Sequence, residues 1–268
     1  MVHRSLALVM FFALWLQVTA QDMVTWRLVK QLEQPAVGVR LDQLNNMYAV
    51  QRGEVVKMDP TGKVLTRYSN KMIGEHVAID VSNPMKVLIF SAEQMRLIFL
   101  DSRMSELREE VNLYAEGYEQ ISLAATSHSN GFWLYDPIEF RLIRYDQYFK
   151  KERESLNIAQ MLRVEFFPED LIEVDNRVYL TDPKHGIYVF DVFGNYLKRI
   201  PLKGVSRLRI SDKRLFFQKG DELIAFHLTN ATEELVPLEA DLPERFDVNR
   251  SRICATGQKG IFIFEPKR

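Results

Sequence analysis

The feature that most constrains this chain is a pattern of short strands and turns written six times. Residues 176–200 read NRVYLTDPKHGIYVFDVFGNYLKRI, which holds three β-branched and aromatic runs, Arg177–Thr181, Ile187–Phe190 and Tyr196–Ile200. Between them lie two turn-forming segments, Asp182-Pro183-Lys184-His185-Gly186 and Asp191-Val192-Phe193-Gly194-Asn195. With Leu171–Val174 in front, the stretch predicts a four-stranded antiparallel meander. The same order recurs at 45–68, 85–111, 130–156, 213–238 and 251–265. Aligned on Tyr48, Leu88, Trp133, Tyr179, Phe216 and Ile253, the copies are 40, 45, 46, 37 and 37 residues apart. A polar residue closes the second run of each: Asp59, Asp101, Asp146, Asp191, His227 and Glu265. A further short strand precedes each copy, at 37–41, 77–81, 121–125, 171–174, 206–210 and 246–248.

Four strands recurring at about 40 residues are the signature of a β-propeller, because one blade buries its faces only against neighbouring blades. The sixth copy stops at Glu265-Pro266-Lys267-Arg268 without an outer strand, while the start of the chain carries a spare one, Trp26–Leu32. Pairing the spare strand with Ile261–Phe264 closes the ring and removes an open sheet edge. The sequence therefore predicts an all-β, six-bladed propeller of four-stranded antiparallel blades, closed by its N-terminal strand. A β-sandwich has similar strand spacing but leaves the missing strand and the spare strand unrelated. The longest insertion, 157–163, has the apolar spacing of a short helix between the third and fourth blades.

Two turns carry a family resemblance. Asp59-Pro60-Thr61-Gly62-Lys63-Val64-Leu65 and Asp191-Val192-Phe193-Gly194-Asn195-Tyr196-Leu197 resemble the strand-turn-strand of NHL repeats, in which an apolar run ends in Asp and a Gly follows three residues later. The glycine supplies the positive φ of the turn. The second, third and fifth copies depart from the motif, with Met104, Phe149 and Ala231 near the glycine position. The resemblance is to NHL-like and TolB-like six-bladed propellers and concerns the fold alone. Such propellers include secreted scaffolds, lactonases and sugar-active enzymes.

The N-terminus reads as a secretory signal. It has a basic His3-Arg4, an apolar Leu6–Val18, and small residues at Val18-Thr19-Ala20. The apolar run is about 14 residues, short of the ~20 that span a bilayer. We expect cleavage after Ala20, a single propeller domain over 21–268, and no transmembrane segment in the mature chain. The lone Cys254 allows no intrachain disulfide and no cysteine-built zinc site, and its apolar surroundings predict a buried thiol. With 35 Lys+Arg against 36 Asp+Glu, no global field draws in nucleic acid or an anionic membrane. Arg207 and Arg209, with Lys203, Lys213 and Arg214 nearby, make a local basic cluster whose arginines are expected to pair with acidic groups near the channel rather than to bind RNA.

In a propeller, the loops joining the second and third strands, and those entering each blade, share one face. There the sequence places Glu75, Asp136, Glu169 and Asp182, the oxygen ligands a lactonase-like, divalent-metal-dependent hydrolase would use. It also places Phe166, Phe167, Tyr118, Lys184 and His185, residue types that anchor protein interfaces. Of the histidines, His76 and His185 share this face, His128 falls on the other, and His227 ends a third strand. No Gly-x-Ser-x-Gly elbow, His-Glu-x-x-His or phosphate-binding glycine loop occurs, so no catalytic residue and no cofactor is expected. Asn230-Ala231-Thr232 and Asn249-Arg250-Ser251 fit the N-glycosylation pattern, which has meaning only in a eukaryotic secretory host. The sequence-based expectation is an exported, non-catalytic protein-binding scaffold. Its place is the periplasm or outer-membrane surface of a Gram-negative bacterium, or outside the cell, and its partner is another envelope protein or complex. The metal-dependent hydrolase is the alternative.

Overall fold

The computed structural model describes residues 24–71, 74, 77–240 and 245–267. The expected leader, together with Glu75, His76, Pro243 and Glu244, lies outside the described residues. The strands form six four-stranded antiparallel sheets arranged as a propeller. Blades one to five each use four consecutive strands, running from an inner strand at the channel to an outer one at the rim. The inner strands are Gly38–Leu41, Ala78–Asp80, Leu123–Thr126, Asp170–Val174 and Arg209–Ser211. Blade six combines Arg245–Val248, Ile253–Gly257 and Gly260–Pro266 with Trp26–Leu32 as its outer strand. The clasp pairs antiparallel, with Trp26 opposite Pro266 and Leu32 opposite Ile261. Trp26 is 6% exposed and reaches the seam between blades five and six. The closure expected from the spare strand is therefore the observed one.

The second and third strands of each blade are apolar almost without interruption because both faces of each sheet are covered. Six buried clusters fill the six seams between blades. In blade four, Val178 and Leu180 point to blade three while Tyr179 points to blade five. Leaving one such seam open would forfeit about 1.5–3 kcal/mol for each large side chain uncovered. The seam assignments correct one alignment. Tyr48, Leu88, Trp133, Tyr179 and Phe216 all face the following blade, but Ile253 faces the preceding one, so Cys254 is its equivalent in blade six. Cys254 is fully buried where the ring closes on blade one, and burial pushes its thiol well above the ordinary range.

The turn between third and fourth strands is conserved in geometry beyond the glycine. Asp59, Asp101, Asp146 and Asp191 each accept two backbone N–H bonds into one oxygen, from the residues two and four further on. The left-handed residue is Gly62 or Gly194 in blades one and four, and Met104, Phe149 and Ala231 take the same conformation at φ 65°, 66° and 57°. In the four turns that carry it, the aspartate rather than the glycine is the shared feature; blade five has His227 in its place. The insertion forms the expected helix, Ile158–Leu162, capped by the Asn157 side chain, which accepts from the Gln160 N–H. Blade two departs most from the pattern, since its outer strand shrinks to Val111–Asn112.

Candidate functional site

The entry face between blades three and four gathers several of the residues singled out in the sequence. The short helix is held against blade three by the Ile158 N–H, which donates to the Phe140 carbonyl, and by Asn157 Nδ2, which donates to the Glu139 carbonyl. The chain then enters blade four through Val164–Glu169. Phe166 is a correction to the expected set of partner contacts, because it is fully buried. Its ring meets Tyr135 and Tyr188 edge-on, at centroid distances of 5.8 and 5.1 Å. Phe167 points the other way and is 65% exposed. Adjacent residues in an extended segment face opposite sides, so only one ring of the pair can pack inward. Phe167 stands at an open groove of about 420 Å³ lined with Phe140, Ala159, Val164 and Phe166, and rimmed by Gln160, Arg163 and Glu165.

Asp182 fixes this corner. One oxygen accepts the N–H groups of Lys184 and His185, and the other accepts the Phe167 N–H and contacts His185 Nδ1 at 3.2 Å. Lys184 reaches Glu165 across the entry segment at 2.6 Å, both side chains exposed. Phe167, Lys184 and His185 thus lie around one turn. Tyr118 lies apart, on the way into blade three, where its hydroxyl bonds Tyr145 and its ring packs on the seam between blades two and three.

Of the carboxylates considered as metal ligands, the three described ones, Asp136, Glu169 and Asp182, form no metal-holding group. Asp136 accepts the N–H groups of Ile138 and Glu139 within its own turn. Asp182 is occupied as described, Glu169 is exposed, and Glu75 lies outside the described residues. Among the described residues, no three acidic, histidine or cysteine side chains form a group that could hold a metal ion.

A second concave region is the central channel, with a cavity of about 680 Å³. It opens on the face opposite to the one expected from loop positions, among Asp42, Ser82, Asp175, Asp212 and Asn249. Each inner strand is a sheet edge with unpaired backbone groups, and buried groups of this kind require partners. Carboxylates of one blade supply them to the next. Asp247 accepts the Leu41 N–H at 2.7 Å, Asp80 the Thr126 N–H at 2.8 Å, and Asp170 the Leu208 N–H at 2.8 Å. Blade one reverses the polarity, with Arg40 Nε donating to the Ile79 carbonyl. Arg209 joins three blades through contacts of 3.1 Å to Asp170 and to Asp247. It fulfils the expectation that this arginine pairs with acids at the channel.

Another cluster links blades three and four on the cavity face. Glu173 accepts from Ser127 Oγ, the His128 N–H and Trp133 Nε1, and contacts His128 Nδ1 at 2.9 Å. Burial pushes its carboxyl upward, but the hydrogen bonds from Ser127, Trp133 and His128 together hold it below the usual range. Ser127 donates directly to the carboxylate instead of to the far nitrogen of the imidazole. The arrangement therefore lacks the relay that activates a serine; it is a clamp between blades. Sequence reasoning missed Asp80, Asp170, Glu173 and Asp247. Their signal was an acid inside an apolar inner strand, as in Ile79-Asp80-Val81 and Phe246-Asp247-Val248.

No family model and no curated protein sequence matches the chain. Solved propellers share its fold. A catalytically inactive virginiamycin B lyase from Staphylococcus aureus with quinupristin is 10% identical, covers 86% of this chain and 80% of its own, and has a TM-score of 0.57. The Cps50 (Swd1) β-propeller domain of Myceliophteria thermophila is 11% identical over 90% of this chain and 99% of its own, at a TM-score of 0.62. BBS1N, in complex with ARL6DN, is 8% identical over 83% and 74%, at 0.55. At these identities the likeness establishes the β-propeller fold and does not extend to activity; the six blades are this chain's own sheets.

Proposed function

We propose that this chain is an exported, non-catalytic propeller that docks another protein of a bacterial cell envelope. The docking surface is the entry face of blades three and four. The observation that carries this reading is Phe167, an aromatic ring 65% exposed beside an open apolar groove and fixed in place by the Asp182 turn. Exposed aromatics on a rigid frame are the usual anchors of an interface. The charged rim of Lys184, Glu165 and Arg163 adds orientation. Two further facts support a binding role over a catalytic one. The inner-strand carboxylates are engaged with backbone N–H groups of neighbouring blades, and Asp136 and Asp182 are engaged in their turns. BBS1N, a propeller of similar fold, is itself in a protein complex. Export rests on the signal pattern of residues 3–20, and no described helix is long and apolar enough to cross a membrane.

The experiment is affinity capture from an envelope extract with residues 21–268 as bait, alongside Phe167→Ala. A stoichiometric protein partner retained by the parent and lost by the variant, at unchanged melting temperature, supports the reading. Recovery of the bait alone, or equal retention by the variant, contradicts it.

A further inference from the structure

The groove beside Phe167 has an uneven charge. Its lining is apolar apart from Gln160, Arg163 and Glu165. Glu165 is neutralised at the rim, because Lys184 Nζ reaches its carboxylate at 2.6 Å. Arg163 is exposed, and its side chain forms no ion pair or hydrogen bond among the described residues. The lining therefore carries one uncompensated positive charge. Its place follows from the local fold. Arg163 ends the helix in the left-handed conformation, at φ 54° and ψ 46°, with its N–H donating to the Ala159 carbonyl. The same carbonyl accepts the Val164 N–H at 3.3 Å. Arg163 thus stands where the helix wall of the groove turns into the segment entering blade four.

The walls are fixed before any partner arrives. Asn157 and Ile158 tie the helix to the carbonyls of Glu139 and Phe140, and Phe166 is wedged between Tyr135 and Tyr188. A preformed groove spares a ligand the cost of ordering it. Its two parts call for different groups. Phe140, Ala159, Val164 and the Phe167 ring offer burial to a large apolar side chain. The guanidinium fork offers two parallel bonds to a carboxylate, and the chain supplies none. An anionic bilayer fits less well, since it is held by clusters of basic residues. Here one cation is free, and Glu165 and Glu169 beside it are both exposed acids.

We infer that the groove recognises a short acidic segment of the partner protein, with a large apolar side chain inserted beside Phe167 and an Asp or Glu carboxylate on Arg163. The inference rests on the docking reading above and adds to it the chemistry of the segment that docks. Phe167 supplies contact area, and Arg163 selects segments that carry an acid next to the apolar anchor.

A phage-displayed library of random peptides, panned on residues 21–268 with Phe167→Ala as counter-selection, tests it. Enriched peptides should share a large apolar residue with an Asp or Glu close by. The strongest of them, made synthetically and followed by fluorescence anisotropy, should bind Arg163→Gln about tenfold or more weakly than the parent, since a charge-assisted bond is lost. Binding to Lys213→Gln, on the opposite face, should stay within about twofold. Absence of any enriched peptide overturns the inference, as does enrichment of peptides without an acid. So does unchanged affinity for Arg163→Gln at the parental melting temperature. Sedimentation of the parent with phosphatidylglycerol vesicles, lost in Arg163→Gln, would assign this face to a membrane and equally overturn it. Capture of a partner that is lost in Phe167→Ala but kept in Arg163→Gln would remove the acidic anchor and leave the docking face standing.

Discussion

Asp247→Ala should be among the most damaging single changes outside the hydrophobic seams. Asp247 is 6% exposed and Arg209 is 7% exposed. Removing the carboxylate leaves the Leu41 N–H without an acceptor, at about 1–3 kcal/mol. It also strips one of two counter-charges from Arg209, and breaking one partner of a buried ion pair costs about 3–5 kcal/mol. Asp170 still faces Arg209, so the two costs overlap, and we expect a total of about 3–5 kcal/mol. For a chain of this size that is a drop in melting temperature of about 6–20 °C. Urea denaturation of the parent, Asp247→Ala, Arg209→Met and the double variant forms a cycle. Its coupling should be at least about 1 kcal/mol, as for neighbours in one network. A cost below about 1 kcal/mol for Asp247→Ala, or strict additivity, would refute the assignment of these acids to blade-to-blade bonding. They would then be available for chemistry.

Three further outcomes are expected. Phe166→Ala should cost about 3–5 kcal/mol in chemical denaturation, as for other buried aromatics, whereas Phe167→Ala should fall within about 0.5 kcal/mol of the parent. Gly260→Ala should loosen the clasp: Gly260 sits at φ 108°, and a Cβ there would lie 2.0 Å from the Leu32 carbonyl oxygen. Hydrogen exchange should then accelerate in the clasp strand, with about 1–3 kcal/mol lost, while exchange in blades two to four stays at the parental rate. The turn aspartates give a pH signature. Hydrogen bonds from Thr61, Ser105, Lys150 and Asn195 contribute to holding Asp59, Asp101, Asp146 and Asp191 below the usual carboxylate range. A depressed pKa contributes stability that is complete above the unfolded value of ~4 and is lost as pH falls through the folded one. Melting temperature should therefore show no change from these groups between pH ~7 and ~5 and a decline below ~4, shallower in Asp101→Asn.

The ring was legible because its evidence is redundant. Six runs of apolar strands repeat one order of turns, and a spare strand at one end matches a missing strand at the other. Register at the last blade was less legible, since Ile253 and Cys254 are both apolar and only the packing tells which faces blade one. The site was half legible. Asp182, Lys184, His185 and Phe167 do lie at one corner, because a turn of two strands and the segment entering the same blade are neighbours in any propeller. Phe166 and Phe167 look alike in sequence, and the side each takes is set by the depth of the seam between Tyr135 and Tyr188. The role of the inner-strand acids was not legible for a different reason. Their partners are backbone N–H groups about 40 residues away or, for Asp247 and Leu41, at the other end of the chain.

The most direct test of the docking face is site-specific photo-cross-linking in the producing cells. A photoreactive amino acid is placed at Phe167, and separately at Arg250 on the opposite face. We predict one discrete adduct with an envelope protein from position 167 and none from position 250. No adduct at 167, or the same adducts from both positions, would contradict the account.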